Sequence, residues 1–400
     1  MIDFELTETQ RLMVDTAHEF GREVLHPAEI ELDRVADPEK VFVSDLYRNT
    51  MKQAFELGFH KMPIADQYGG LGLEPQTIGM VWEELARWGV GFAATLIPCS
   101  STPQLILFLA PTNKELIDKY VTPYCEDKTG TFITAWGSSE PQVGSDGKNY
   151  YDPCVHHYTK AEKRDSRYII NGRKSDFVSN GGLARVYTVF ACIDPSKGLR
   201  GSGTFVVPAD TPGVSCGKPL DKIGFRTLNQ TSPVFEDVEI PESNMIFPPG
   251  ELYPMLHNSI VTVGNLAVGY LAVGLMRAAY EEALSHSKTR VQWGKPIFEH
   301  QQIAMKLLKC FQAIESARAF LWKGSWLATK KFPGDLKTSL SAKIYATDQA
   351  IIHTTEMMHI FGGYGISREY AVEKYVRDAH LLRIMDGTNE TLANKAAALL

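Results

Sequence analysis

Tyr168-Ile169-Ile170-Asn171-Gly172-Arg173-Lys174 lies near the middle of a 400-residue chain and decides how that chain divides. It is a short aromatic and β-branched run punctuated by Asn-Gly, the pattern of a strand. Similar runs occur at Thr131–Thr134, Val186–Ala191, Thr204–Val207 and Val234–Ile240, with breaks such as Pro208-Ala209-Asp210. Outside 131–245 the apolar spacing is helical. Thr7 and Gln10 fit a capping box ahead of the stripe Leu12/Met13/Thr16/Phe20/Val24. Further helical patterns fall at 45–59 and 75–88, and long stripes at 256–289, 299–331 and 335–360. These stripes stop at Phe361-Gly362-Gly363-Tyr364-Gly365. The reading is an antiparallel β domain between two helical parts. No strand–GxGxxG–helix unit and no GxxxxGK[ST] loop is present, so a doubly wound dinucleotide fold is not expected.

Composition sets further limits. Apolar residues make up 44% and charged residues 22%, as in ordinary globular chains. Net charge is −6, which gives no basic footprint for nucleic acid. No run reaches about 18 uninterrupted apolar residues, so no membrane span is expected. Residues 1–20 read as an amphipathic helix rather than a signal peptide, and a cytoplasmic location follows by default. The six cysteines are scattered and read as reduced packing residues. Cys154-Val155-His156-His157 lacks a fourth ligand at sensible spacing, so no metal is expected.

Five separated motifs, in order, resemble those of the acyl-CoA dehydrogenase family. They are Pro63–Gly72 (P-x-x-x-G-G-x-G), Ser139-Glu140-Pro141-Gln142-Val143-Gly144-Ser145-Asp146 (T-E-P-x-A-G-S-D), and Tyr168–Lys174 continuing to Phe177-Val178-Ser179-Asn180. The fourth is Arg290-Val291-Gln292-Trp293-Gly294-Lys295-Pro296-Ile297 (R-x-x-F-G-x-P-I). The fifth runs from Gly362 through Ala371–Asp386 to Thr388. The resemblance implies an α+β fold: an N-terminal helical domain (1–130), a middle antiparallel β-barrel or sandwich domain (131–245) and a C-terminal four-helix bundle (246–400). It implies FAD as cofactor, an acyl-CoA thioester as substrate, and electron-transfer flavoprotein as acceptor. It also implies a homotetramer built as a dimer of dimers, because the Arg290 segment reaches the flavin of a neighbouring subunit.

Asp386 stands where most of the family has glutamate, the base that takes the substrate α-proton while the β-hydrogen leaves as hydride to flavin N5. Asp-Gly-Thr alone is an ordinary turn string; the resemblance makes Asp386 the catalytic residue. Another branch carries its base at the position of Gly264, which offers no carboxylate. Its neighbour Asn265 replaces a frequent arginine. By resemblance, FAD is held by Trp136, Ser138, Ser139, Ser145, Phe177, Ser179, Arg290, Gln292, Trp293, Gln301, His359, Gly362, Gly363, Thr388 and Glu390. Substrate is met by Ser145, Thr262, Gly264, Asn265 and Gly387. Arg290, Gln292 and Trp293 are placed at the end of a long helix. Ala93 occupies the position of the arginine that glutaryl-type members use, which disfavours glutaryl-CoA; Arg383 is left as a carboxylate partner from elsewhere.

Aspartate is one methylene shorter than glutamate, about 1.5 Å. Phe177, Ser179 and Gly264 are smaller than, or differ from, the usual residues. Together they point to a bulky acyl group, cyclic or branched at Cα, as in ring degradation. The alternatives are a linear short-chain acyl-CoA dehydrogenase, an enoyl-CoA reductase or oxidase, and a non-catalytic flavin-binding or DNA-associated member. Residues 147–158 are a longer connection than relatives have, read as an aromatic flap or, more plainly, a surface loop.

Overall fold

Thr7 opens the first helix as a reciprocal cap. Its hydroxyl accepts from Gln10 N–H at 3.2 Å, and the Gln10 side-chain oxygen accepts from Thr7 N–H at 3.0 Å. The helix runs Glu8–Phe20 and buries Ala17 and Phe20. The computed structural model describes residues 5–400, so the first four residues of the 1–20 stretch lie outside the described residues. The next pattern forms Asp45–Glu56, capped by Ser44. The pattern at 75–88 continues to Cys99 through a kink at Gly89 (φ −163°, ψ 88°). A Cβ there would come within 2.8 Å of Leu25, so the bend follows a close approach that only glycine permits.

The middle of the chain forms an eight-stranded sheet. From one edge its path is Met245–Phe247, Ser202–Pro208, Ala184–Cys192, Lys160–Arg164, Arg167–Arg173, Pro233–Pro241 and Val214–Cys216. Ile133–Gly137 pairs with Ala184–Cys192 off this path, and that pairing is parallel. Lys160 also meets Cys192 in parallel register. The sheet is therefore mostly, not wholly, antiparallel: Ile133–Gly137 and Lys160–Arg164 run with Ala184–Cys192, Arg167–Arg173 runs against them, and the connection through Val178–Ser179 reverses the chain again. Asn171-Gly172 is not a turn but a register shift inside Arg167–Arg173. Gly172 (φ +146°) sits where a Cβ would be 2.5 Å from Thr159 Cα. The hairpin reverses instead at Asp165, whose φ is 52°.

The three long stripes become the helices Tyr253–Thr289, Gln301–Lys330 and Leu336–Ile360, followed by Val372–Ile384 and Asn389–Ala397. Pro75–Cys99 lies against Tyr253–Thr289. A Cβ on Gly79 would strike Tyr270 at 2.2 Å, and one on Gly274 would strike Glu83 O at 2.2 Å. By composition, Pro75–Leu109 and Tyr253–Thr289 are long and apolar enough to cross a membrane. In the fold 61% and 78% of their most apolar windows are buried against neighbouring elements.

Charged clamps tie the parts together. Arg277 Nη1 reaches Glu83 Oε1 at 2.9 Å and Glu84 Oε2 at 2.8 Å, and Arg318 Nη2 reaches Glu83 Oε1 at 2.8 Å. Burial opposes ionisation of Glu84, but Arg277, His18 and Arg87 outweigh it and hold its pKa at about 2. Lys374 pairs with Glu29 at 2.8 Å and with Asp378 at 2.5 Å, and Asp378 accepts from Phe225 N–H at 2.7 Å. One buried cluster thus joins N-terminal helix, middle-domain loop and C-terminal helix.

Candidate active site

Between the helices Val372–Ile384 and Asn389–Ala397 the chain reverses through two left-handed residues, Asp386 (φ 55°) and Gly387 (φ 110°). Aspartate tolerates this region better than most residues, and glycine adopts it freely. Thr388 caps the following helix, its Oγ1 accepting from Thr391 N–H at 3.5 Å. The turn is fixed from behind by Lys343, which is wholly buried on Leu336–Ile360. Its Nζ donates to Gly387 O (3.0 Å), Arg383 O (3.2 Å) and Asn389 Oδ1 (2.8 Å). Burial pushes the Lys343 pKa down to about 7, with the negative charge of Asp386 pulling the other way.

From in front, Ser145 Oγ accepts from Thr388 N–H at 3.3 Å. The Asp386 carboxylate faces helix Tyr253–Thr289 at Gly264. A Cβ built on Gly264 would lie 2.9 Å from Asp386 Oδ2 and 3.9 Å from Asp386 Cγ, with no other atom within 4 Å beyond its chain neighbours and its own helix backbone. Asp386 is exposed, and its backbone N–H has no hydrogen-bond partner among the described residues. A carboxylate, a free N–H and the bare backbone of Gly264 therefore meet at one point.

Five of the expected site residues gather here: Ser145, Gly264, Asp386, Gly387 and Thr388. Thr262 and Asn265 are buried and bond to their own helix: Thr262 Oγ1 donates to Asn258 O at 2.7 Å and Asn265 Nδ2 to Val261 O at 2.8 Å. Arg383 is not available to a substrate carboxylate, because it pairs with Asp348 at 2.9 Å and with Glu390 at 2.7 Å. Trp136, Ser138 and Ser139 lie on and just past Ile133–Gly137. Phe177 is exposed beside the short strand Val178–Ser179, and Ser179 Oγ accepts from Gln230 Nε2 at 3.4 Å.

Arg290, Gln292, Trp293, Gln301, His359, Gly362 and Gly363 lie elsewhere, around the far end of Tyr253–Thr289. The helix ends at Thr289, and Val291–Gln292 and Lys295–Pro296 form a two-stranded hairpin. Trp293 (φ 56°) and Gly294 (φ 77°) make its turn, which corrects the placement of Gln292 and Trp293 on a helix end. Arg290 stands 5.6 Å over the ring of Tyr364, next to Gly362-Gly363. Gly264 and Arg290 are separated by 26 residues of helix, about 39 Å at 1.5 Å per residue.

The residues present fit FAD. A Cβ on Gly144, Gly294, Gly362 or Gly363 would meet nothing within 4 Å, so backbone is left open to a ligand at both groups. Phe177 (67% exposed) and Trp293 (94%) present large uncovered rings.

Other residues that shape the site were not singled out from sequence. Glu140, inside the Ser139–Asp146 motif, forms a fully buried pair with Lys174 at 2.6 Å and accepts from Tyr158 N–H and Thr159 N–H. Lys174 also donates to Phe190 O at 2.6 Å. This lock fixes the segment after Ile133–Gly137 to the sheet. Residues 147–158 are only partly a surface loop. Tyr150 is 3% exposed and packs 5.5 Å from His257 and 6.2 Å from Tyr253, while Tyr151 and Tyr158 face outward. His157 is buried with Nδ1 at 2.9 Å from Ser202 Oγ.

Three family descriptions match the chain: "Acyl-CoA dehydrogenase, N-terminal domain" over residues 7–128, "middle domain" over 135–238 and "C-terminal domain" over 257–400. The short-chain specific acyl-CoA dehydrogenase of Megasphaera elsdenii is 33% identical over 395 residues, 97% of either chain. The cyclohex-1-ene-1-carbonyl-CoA dehydrogenase of Syntrophus aciditrophicus is 31% identical over 386 residues, 96% of this chain and 88% of that one. Among solved structures, butyryl-CoA dehydrogenase from Megasphaera elsdenii superposes with a TM-score of 0.89 at 32% identity, covering 100% of this chain and 99% of that one.

Proposed function

The chain belongs to the acyl-CoA dehydrogenase family, and from that premise we propose that it desaturates a cyclic or α-branched acyl-CoA with Asp386 as the base. At the coarser level it is an FAD-dependent oxidoreductase acting on the CH–CH group of an acyl-CoA thioester. FAD, when bound, supplies the two-electron sink for the β-hydrogen.

The chain's own residues account for the proton. The α C–H of a thioester is a weak acid, so it needs a placed base and a donor for the developing enolate oxygen. Asp386 Oδ2 takes the proton, and the unpaired Asp386 N–H donates to the thioester carbonyl. Lys343 and the Thr388–Ser145 hydrogen bond hold the turn, so both groups present together. Phe177, Ser179 and Trp136 are assigned to one FAD. Arg290, Gln292, Trp293, Gln301, His359 and Gly362-Gly363 are assigned to the FAD of a second copy, because about 39 Å of helix separates the groups within one chain. That division supports a dimer-based assembly, proposed as a tetramer, with electron-transfer flavoprotein as acceptor.

One observation carries the substrate reading. The short carboxylate faces a glycine, and within 4 Å of where a Gly264 side chain would begin there is only Asp386. With no side chain on Gly264 beside it and one methylene fewer than glutamate, the exposed carboxylate leaves its open side to a bulky Cα substituent, which brings its own α-proton to the retracted base. The 31% identity to a dehydrogenase of a cyclic acyl-CoA agrees with this. A linear short-chain substrate is the second reading, favoured by the 33% identity to a short-chain specific member. Anaerobic bleaching of the flavin by cyclohexyl-bearing and linear acyl-CoAs of matched carbon number separates them. Faster reduction by the ring compounds supports the first reading, and faster reduction by linear chains overturns it.

A further inference from the structure

The Asp386 carboxylate lacks a cation on the helix it faces. Gly264 has no side chain, and Asn265 is buried with its amide bonded to Val261 O. Of the cations nearby, Arg383 is neutralised by Asp348 and Glu390, and Lys343 is committed to three oxygens of the turn. The remaining cation comes from another part of the chain. Lys148 ends the short 3-10 turn Ser145–Lys148, the turn that Thr388 N–H holds through Ser145. The end of its side chain lies against the base turn: a Cβ on Gly387 would be 3.5 Å from Lys148 Cε. Among the described residues Lys148 makes no hydrogen bond and no ion pair within 4 Å, and Asp386 is the one carboxylate acting on it. The other titratable groups facing it are His257 on Tyr253–Thr289 and Lys395 on Asn389–Ala397, neither of them an anion. Lys395 is turned to Tyr150, donating to its hydroxyl at 2.9 Å. Burial disfavours the charge on Lys148 and Asp386 favours it.

We propose that Lys148 is a positioning residue for the base: its ammonium, delivered by the loop after Ser145, meets the negative charge of the Asp386 carboxylate and draws it into place. The extended 147–158 connection then has a reason. Tyr150, buried two residues on, anchors that connection against Tyr253 and His257, so the lysine is held at Asp386 rather than in solvent.

The inference rests on Asp386 being the base, and its test keeps the two apart. The FAD-loaded enzyme and its Lys148→Met, Lys148→Arg and Asp386→Asn variants are mixed anaerobically with an acyl-CoA, and the bleaching rate is followed from pH 5 to 9. Loss of a cation close to a carboxylate raises the carboxylate pKa. Lys148→Met is expected to move the midpoint of the pH–rate profile upward by about one pH unit, roughly a tenfold rate loss on the acid side. Lys148→Arg is expected to restore it. A Lys148→Met profile that keeps the wild-type midpoint overturns the proposal, whether or not the overall rate falls, because a purely structural loss lowers all points together. So does a Lys148→Arg profile that stays with Lys148→Met. If Asp386→Asn still bleaches at near-normal rate, the base assignment itself fails.

Discussion

Gly264→Ala tests the placement of the base with a single methyl group. The new Cβ would sit 2.9 Å from Asp386 Oδ2, where ordinary contacts begin at about 3.4 Å. The carboxylate is the free end of a short side chain, so it yields by about 0.5 Å rather than the helix. A displacement of ~1 Å at a reacting group costs ~10²-fold, so half of it costs ~10-fold in the rate of flavin reduction. Stability moves in the other direction. Glycine inside a helix is worse than alanine by about 0.5–1 kcal/mol, and nothing but Asp386 meets the methyl, so the melting temperature rises by about 1–3 °C. The assay is a stopped-flow anaerobic reduction beside a thermal melt of the same FAD-loaded preparation. Reduction slowed about tenfold with an unchanged or raised melting temperature is the expected pair. Reduction within twofold of wild type would refute the placement of the Asp386 carboxylate against Gly264.

Lys174→Met leaves the fully buried Glu140 carboxyl without its cation, a loss of about 3–5 kcal/mol, read as a lowered urea midpoint that Glu140→Gln in the same chain partly restores; an unchanged midpoint contradicts the assigned lock. His60 is buried against Phe55, and burial with the neighbouring Lys61 holds its pKa at about 4 rather than 6.5. The unfolded chain therefore binds the proton first. The contribution, up to ~3 kcal/mol, is fully present above pH 6.5 and is lost as pH falls toward 4. His60→Gln is expected to flatten that part of the stability–pH curve, and an equally steep curve in the variant removes His60 as its cause. Trp293 stands almost fully exposed on its hairpin turn, so Trp293→Ala is expected to leave the melt of the separated chain unchanged. The same change should lower both the sedimenting mass and the flavin-to-protein ratio, and an unaltered assembly would sink the shared-site reading.

The parts legible in the sequence were those with a repeating signature. The stripes at 256–289, 299–331 and 335–360 became Tyr253–Thr289, Gln301–Lys330 and Leu336–Ile360, because each helix presents an apolar face to its neighbours. Five strands were found with ends off by one to three residues, since strand ends carry polar or glycine residues that sheet pairing retains; Lys160–Arg164, Val214–Cys216, Gln230–Thr231 and Met245–Phe247 are too short or too polar to stand out. Asn171-Gly172 looked like a turn because its chemistry suits one; pairing with Pro233–Pro241 turns it into a register shift instead. The kink at Gly89 depends on Leu25, over sixty residues away, which no local pattern reports.

Within the site, the Asp386 turn and its approach to Gly264 were readable as a motif and its aligned counterpart. Lys343, Lys148 and Lys174 were not. A lysine is normally a surface residue; Lys343 and Lys174 are buried by partners from distant elements, Gly387 O and Glu140, and the half-buried Lys148 is brought against the base turn. The hairpin at Trp293-Gly294 carried a local signal, a Gly in a two-residue connection, but the long helical stripe before it masked the reversal.

The central claim is that Asp386 removes the substrate proton. It is tested most directly by anaerobic mixing of acyl-CoA with FAD-loaded Asp386→Asn beside the wild type, together with the spectral perturbation that CoA-ligand binding causes. The account predicts a variant that retains flavin and binds the ligand but shows no substrate-dependent bleaching. Bleaching at near wild-type rate in that variant would contradict it.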